Sequence, residues 1–209
     1  MKLPTLLISS VMLAATAHAD MYASGTAGTC IVDRNNIEVE GCQLFTGTLG
    51  YQLTDTIIIE AQYTALNGEI TGLNGASNSF GDYDRKDITI GANYNFYEIG
   101  ASNFYAGGRV GHGVIGTEFS GTVDNQPDIA VFADDEVNAF LYGAVLGADW
   151  PVTSNVELFA EISYTQYLDN GFDARFRTAS GVTGELSPGG VMGEDRSYDI
   201  KLGIRVYFD

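Results

Sequence analysis

The last segment of the chain, Tyr198 to Phe208, alternates without a slip. Tyr198, Ile200, Leu202, Ile204, Val206 and Phe208 share one parity, while Asp199, Lys201, Gly203, Arg205 and Tyr207 share the other. Successive side chains of a strand point to opposite faces, so this segment has one continuous apolar face and one mostly polar face. A run of roughly 10 residues is also what a tilted strand needs to cross a bilayer, and this one ends on an aromatic close to the C-terminus. An edge strand of a soluble sheet could show the same alternation, so the rest of the chain must decide between them.

The N-terminus reads as an export leader. Lys2 precedes the apolar stretch Leu3 to Ala17, and Ala17-His18-Ala19 offers the small residues a signal peptidase needs, which places cleavage before Asp20. The stretch is broken by Ser9 and Ser10 and is shorter than the roughly 18 apolar residues of a spanning helix, so it is not taken as an anchor. The expected division is a cleaved signal peptide over 1–19 and one barrel domain over 20–209. No other segment is apolar enough to span as a helix. Membrane embedding would then require strands closed on themselves, because an open sheet leaves unpaired backbone groups in hydrocarbon.

The 209 residues amount to one domain, rich in Gly (26), Tyr (12) and Phe (11) and with 4 Pro. A net charge of −17 repels nucleic acid and anionic surfaces, attracts divalent cations and favours solubility. Cys30 and Cys42 enter an oxidising compartment and are expected to pair. Closing that loop is worth about 3 kcal/mol in chain entropy. With no second Cys pair and no nearby His, a metal role for them is not indicated.

Period-2 alternation predicts eight strands, at 21–29, 43–53, 56–66, 85–96, 103–114, 138–149, 156–167 and 197–208. The third, for example, sets Ile57, Ile59, Ala61, Tyr63 and Ala65 against Glu60, Gln62 and Thr64. Connections alternate between short ones (Thr54-Asp55, Tyr97 to Ser102, Pro151 to Asn155) and long ones (30–42, 67–84, 115–137, 168–196). An even strand number with both termini at the short-turn end is the topology of an all-β, eight-stranded antiparallel up-and-down transmembrane β-barrel. Tyr51, Phe96, Phe104, Trp150 and Phe208 sit at strand ends on the apolar parity, where rings can rest among headgroups. The hairpins Tyr51 to Thr64 and Trp150 to Thr165 weakly echo one another, as two hairpins of a single meander would.

These Glu-x-x-Tyr-Thr hairpins, the leader, and the alternating final strand ending in Val206-Tyr207-Phe208 resemble the OmpA/OmpX-type, opacity-like outer membrane barrels. The resemblance covers nearly all of the mature chain and rests on pattern more than on fixed motifs. It implies a bacterial outer membrane location, outer membrane lipid and lipopolysaccharide as surroundings, and a monomer. It also implies that the stripe from Tyr198 to Phe208 serves as the signal read by the barrel-assembly machinery. Here Asp209 follows the terminal aromatic, a departure from the family pattern. No peptidoglycan-binding domain is implied.

On the opposite parity lie Glu60, Asp87, Arg109, Glu161, Lys201 and Arg205. An eight-stranded barrel is just wide enough for side chains to fill, so these charges are expected to pair across the lumen as a plug. A gate that opens by exchanging partners is the alternative. His112 is expected to face outward. A lipid-modifying barrel would need a Ser beside it, but the residue two positions on is Val114, and Ser120 lies beyond. Acidic residues concentrate in the long connections, among them Asp33, Glu38, Glu40, Glu69, Asp82, Asp84, Asp124, Asp128 and Asp134-Asp135-Glu136. Divalent cations could gather there, although three consecutive acids cannot converge on one ion in an extended chain. Ile129 to Phe132 and Phe172 to Phe176 are apolar stretches suited to extending the barrel above the membrane or to strand addition.

The sequence therefore points to a non-enzymatic outer membrane barrel without cofactors, with envelope-structural or surface-contact duties carried by its outer loops. The competing readings are a narrow pore for ions or small solutes, a lipid A-modifying enzyme, and a soluble barrel with its apolar faces turned inward.

Overall fold

The computed structural model describes residues 21–34, 37–73, 76–123, 125–168, 174–186 and 196–208. The stretch 1–19 expected to be a leader, and Asp124, Phe172, Asp173 and Asp209, lie outside them. Among the described residues ten strands follow one another: β1 (Met21–Arg34), β2 (Ile37–Gln52), β3 (Ile57–Leu73), β4 (Ala76–Ile99), β5 (Ser102–Val123), β6 (Gln126–Pro151), β7 (Val156–Leu168), β8 (Ala174–Thr178), β9 (Thr183–Leu186) and β10 (Arg196–Phe208). Strands β1 to β7 and β10 form a closed antiparallel barrel, sealed where Met21 pairs with Phe208 and Asp33 with Arg196. Strands β8 and β9 are an added hairpin, paired to the outer part of β6 through Ile129 to Phe132.

Outward positions of β10 are exposed in sequence order, from Tyr198 at 47% through Leu202 at 68% to Phe208 at 42%, while Lys201 and Arg205 are buried. Eleven residues at about 3.3 Å each, tilted by about 45°, give an apolar band about 25 Å tall, matching bilayer hydrocarbon. Ile59, Ile88, Ile90, Leu146 and Ile162 continue the band around the wall. Tyr51, Phe96, Tyr97, Trp150 and Phe208 ring its short-turn edge, and Phe45, Tyr63, Phe140 and Tyr198 ring the other. A register shift between Asn95 and Tyr97 exposes Phe96 and Tyr97 together. Gly100, at φ 65°, makes the two-residue turn between β4 and β5.

The strands run well past this band, and here the sequence expectation is corrected. The stretches 30–42, 67–84 and 115–137, expected as loops, are almost wholly strand, so that only 35–36, 74–75 and 124–125 separate one strand from the next. Within 168–196, strand β7 reaches Leu168, and β8 and β9 follow. Alternation does not stop at the edge of the bilayer; it inverts. On β4 the apolar residues Ile88 and Ile90 face out, but farther along Tyr83 faces in while Asp82 and Asp84 face out. Above the band the barrel is built like a soluble protein, with apolar residues inside and charges toward water.

Candidate functional site

Inside the band, the inward faces of the strands meet in a network of buried charges. Arg109, carried by β5, forks onto Glu161 of β7, with Nη1 donating to Oε1 at 2.8 Å and Nη2 to Oε2 at 2.7 Å. Lys201 Nζ donates to Glu161 Oε1 at 3.0 Å from the neighbouring strand β10, where the two residues are directly paired. Arg109 Nη2 also reaches Glu60 Oε2 at 3.4 Å, joining β3 across the lumen. Glu60 in turn accepts hydrogen bonds from Tyr22 and from Gln62 Nε2. Arg205 extends the network toward the short turns, with Glu157 at 3.0 Å, Asp149 at 3.5 Å and Glu60 at 4.0 Å. Its guanidinium lies 4.5 Å from the Tyr22 ring centre and 5.0 Å from that of Phe159. Bidentate forks of this kind hold both charge and orientation.

Glycines make the rings fit. Tyr22 is paired in register with Gly50, and Tyr105 with Gly147. A Cβ on Gly50 would come 2.0 Å from the Tyr22 ring, and one on Gly147 would come 2.2 Å from the Tyr105 ring. Each tyrosine therefore lies flat over bare backbone, which leaves its hydroxyl free to meet Glu60 or Glu161.

A second charged layer sits farther out. Arg85 Nε is 3.0 Å from Asp87 Oδ2, and its Nη2 is 3.9 Å from Asp199. Tyr167 donates to Asp87 Oδ2 at 2.6 Å, and its ring centre lies 5.0 Å from the Arg85 guanidinium. Ser163 and Ser197 both donate to Asp199. The space between the two layers is about 20 Å³, lined by Gln62, Thr64, Arg85, Asp87, Arg109 and Lys201. That is room for about one water molecule.

Above the second layer the interior turns apolar. Cys30, Val32, Ile37, Cys42, Leu44, Leu66, Ile70, Tyr83, Ile115, Phe119, Val131, Ala133, Ala139, Leu141 and Tyr167 form one buried cluster that fills the barrel beyond the bilayer. The Cys30–Cys42 disulfide joins β1 to β2 within it.

Of the six interior residues expected from the sequence, Glu60, Arg109, Glu161, Lys201 and Arg205 form one network, and Asp87 belongs to the other layer. Arg85, Asp149, Glu157 and Asp199 were not in that set. Arg85 and Asp199 share the parity of their inward neighbours Asp87 and Lys201, a signal sufficient to find them. Tyr22 and Tyr105 were legible only as inward aromatics opposite a glycine. His112 faces out between Ile88 and Phe140, its paired neighbours. Ser120 lies eight residues along the same continuous strand, about 26 Å away, so the two do not form a nucleophile and base. Asp33, Glu38, Glu40, Glu69, Asp82, Asp84, Asp128, Asp134 and Glu136 lie on exposed faces of strands rather than in loops, and Glu40, Glu69, Asp82, Glu118 and Asp134 form a directly opposed row across five strands. Among the described residues, no three His, Cys, Asp or Glu side chains are grouped to hold a metal ion.

A closed eight-stranded barrel with an apolar belt and a charged interior defines a class of proteins, the outer membrane β-barrels of bacteria. The chain belongs to the outer membrane protein beta-barrel domain family, whose profile it matches over residues 3–184. No curated protein sequence matches it significantly. The fold is similar to that of Neisserial surface protein A, NspA, at 17% identity over 90% of this chain and 97% of that one, with a TM-score of 0.56. A major outer membrane protein from Thermus thermophilus is similar at 11% identity, 91% and 100% coverage and TM-score 0.59. Ail, the attachment invasion locus protein of Yersinia pestis, in complex with the heparin analogue sucrose octasulfate, is similar at 12% identity, 90% and 99% coverage and TM-score 0.51.

Proposed function

We propose that the protein is a non-conducting, non-catalytic barrel whose work is done by the rigid β-extension it holds above the outer membrane, in envelope structure or in surface contacts. The observation that carries this reading is the stacked interior. Two layers of buried ion pairs are followed, in the outward direction, by a packed apolar core. An ion entering from outside would have to part packed, mostly apolar side chains, at a cost of several kcal/mol or more. Exchange of partners in the lower layer alone would not open a path, because the apolar core lies above it.

In this reading residues 1–19 are a cleaved leader, the stripe Tyr198, Ile200, Leu202, Ile204, Val206 and Phe208 is the assembly signal, and the barrel is monomeric. His112 is a headgroup-level surface residue rather than a catalytic base. Conductance of the purified full chain in planar bilayers tests the proposal. A flat trace under applied voltage is expected, and steady single-channel steps would overturn it.

A further inference from the structure

The register of β1 against β2 is fixed beside one covalent bond. From Met21 opposite Tyr51 to Thr29 opposite Gln43 the two strands keep a single alignment, and one further step along it sets Cys30 opposite Cys42. Those two residues form the disulfide. Past them the alignment has slipped by one residue, with Asp33 opposite Glu38 and Arg34 opposite Ile37. Gly41 takes up the slip at φ 62°, the left-handed conformation of a bulge glycine.

The slip decides which side chains of β2 enter the outer core. Cys42, Leu44 and Thr46 are buried on one side of it and Ile37 on the other, while Glu38 and Glu40 are exposed. Without the bulge, Glu38 and Glu40 would turn into the apolar core and Ile37 toward water. Among the described residues neither Gly41 nor Cys42 has a partner in the ladder with β1 or with β3. Cys42 is held instead by its sulfur and by the Thr29 hydroxyl, which donates to its carbonyl oxygen at 2.9 Å.

We infer that the Cys30–Cys42 bond is a register pin, made on the open exported chain by a protein dithiol oxidant before the barrel closes. The chemistry is thiol–disulfide exchange. One cysteine thiolate attacks the oxidant's disulfide, forming a mixed disulfide and releasing one oxidant thiol; the second cysteine thiolate then attacks this chain's sulfur in the mixed bond, closing Cys30–Cys42 and releasing the other oxidant thiol. Two electrons and two protons pass to the oxidant. Burial sets the order, because Cys30 is 8% and Cys42 5% exposed, inside a packed apolar cluster with Leu44, Tyr83 and Ile115. Exchange needs an ionised thiol in contact with a foreign sulfur, and that cluster admits neither the charge nor the protein that carries the sulfur. In the open chain the two cysteines stand 12 residues apart and are free to meet. A hairpin closed at that point leaves the ladder below it one alignment.

The test is an order-of-addition experiment on the full chain. Reduced protein unfolded in urea receives a purified thioredoxin-fold dithiol oxidase either before dilution into lipid vesicles or after heat-modifiable gel migration shows a complete barrel, and maleimide-polyethylene glycol labelling counts the free thiols. Oxidation of the open chain should be at least about a hundredfold faster than that of the folded barrel, whose core must first open. A reduced chain that completes no barrel until the oxidant arrives gives the same answer in its extreme form. Equal rates would overturn the order. The pin is read separately, from folding kinetics. The oxidised parent should fold at least about tenfold faster than Cys30→Ala/Cys42→Ala and unfold at nearly the same rate, because a bond made first acts on the open chain. The reduced parent, kept under a thiol reductant, repeats the comparison with every side chain in place. A variant or reduced parent that folds at the oxidised parent's rate, or whose loss lies in unfolding alone, would overturn the pin.

Discussion

Glu161 is the acid on which Arg109 and Lys201 both depend, and Glu161→Gln should destabilise the folded barrel by about 3 kcal/mol. The carboxylate receives three short charge-assisted hydrogen bonds, at 2.8, 2.7 and 3.0 Å, from side chains less than 10% exposed. Valued singly at about 1.5–3 kcal/mol each, these bonds would sum to more than one substitution removes. The amide oxygen of glutamine still accepts one of them, and Arg109 keeps Glu60 at 3.4 Å. What remains is the cost of stranding a buried ammonium, at the low end of the roughly 3–5 kcal/mol typical of a broken buried pair. The double variant Glu161→Gln/Lys201→Met removes that stranded charge and should regain at least about 1 kcal/mol. Urea unfolding of the full chain in lipid vesicles, followed by heat-modifiable gel migration and Trp150 fluorescence, measures both. A single variant within about 0.5 kcal/mol of the parent, or a double variant less stable than the single, would refute the argument.

Three further outcomes follow from the same interior. Ile70→Ala, in a stretch that reads as loop, should cost about 2–5 kcal/mol because its side chain is 1% exposed within the outer apolar core; a cost below about 1 kcal/mol in the same unfolding assay would contradict that core. Replacing Cys30 and Cys42 by Ser should lower stability by about 3 kcal/mol, measured against the parent under non-reducing conditions. Gly147→Ala should displace the Tyr105 ring and cost about 1–3 kcal/mol, whereas Gly147→Ala combined with Tyr105→Leu should recover part of that loss.

Much of the barrel was legible because a strand has a strict period of 2 and the bilayer demands one apolar parity. That rule placed Lys201, Arg205, Glu60 and Glu161 inside and Ile200, Leu202 and Ile59 outside. The same rule concealed the extension. Beyond the bilayer the outward parity must be polar, so on β5 apolar Val110 faces out while Ile115 and Phe119 face in. A search for apolar residues on one fixed parity therefore stops at the membrane edge, and the acids on outward positions, such as Asp82 and Glu118, look like loop residues. Ile129 to Phe132 was readable as a strand extension, and it pairs with β8, although the side chains of Ala174 to Phe176 lie outside the described residues. The two-layer division of the lumen was not readable, because it depends on how cross-strand register sets Arg109 level with Glu60 through Gly91, while Asp87 falls four residues farther out, level with Thr64 and Gly113. Register comes from tertiary pairing and not from alternation.

The inversion of faces along a single strand is what everything else rests on, and a spin-label scan of β4 from position 80 to 96 in lipid vesicles measures it directly. Outward positions 88, 90, 92, 94 and 96 should collide with oxygen dissolved in the bilayer, outward positions 82 and 84 with an aqueous nickel chelate, and inward positions 83, 85 and 87 with neither. Access of the aqueous reagent to position 83, or of bilayer oxygen alone to positions 82 and 84, would contradict the account.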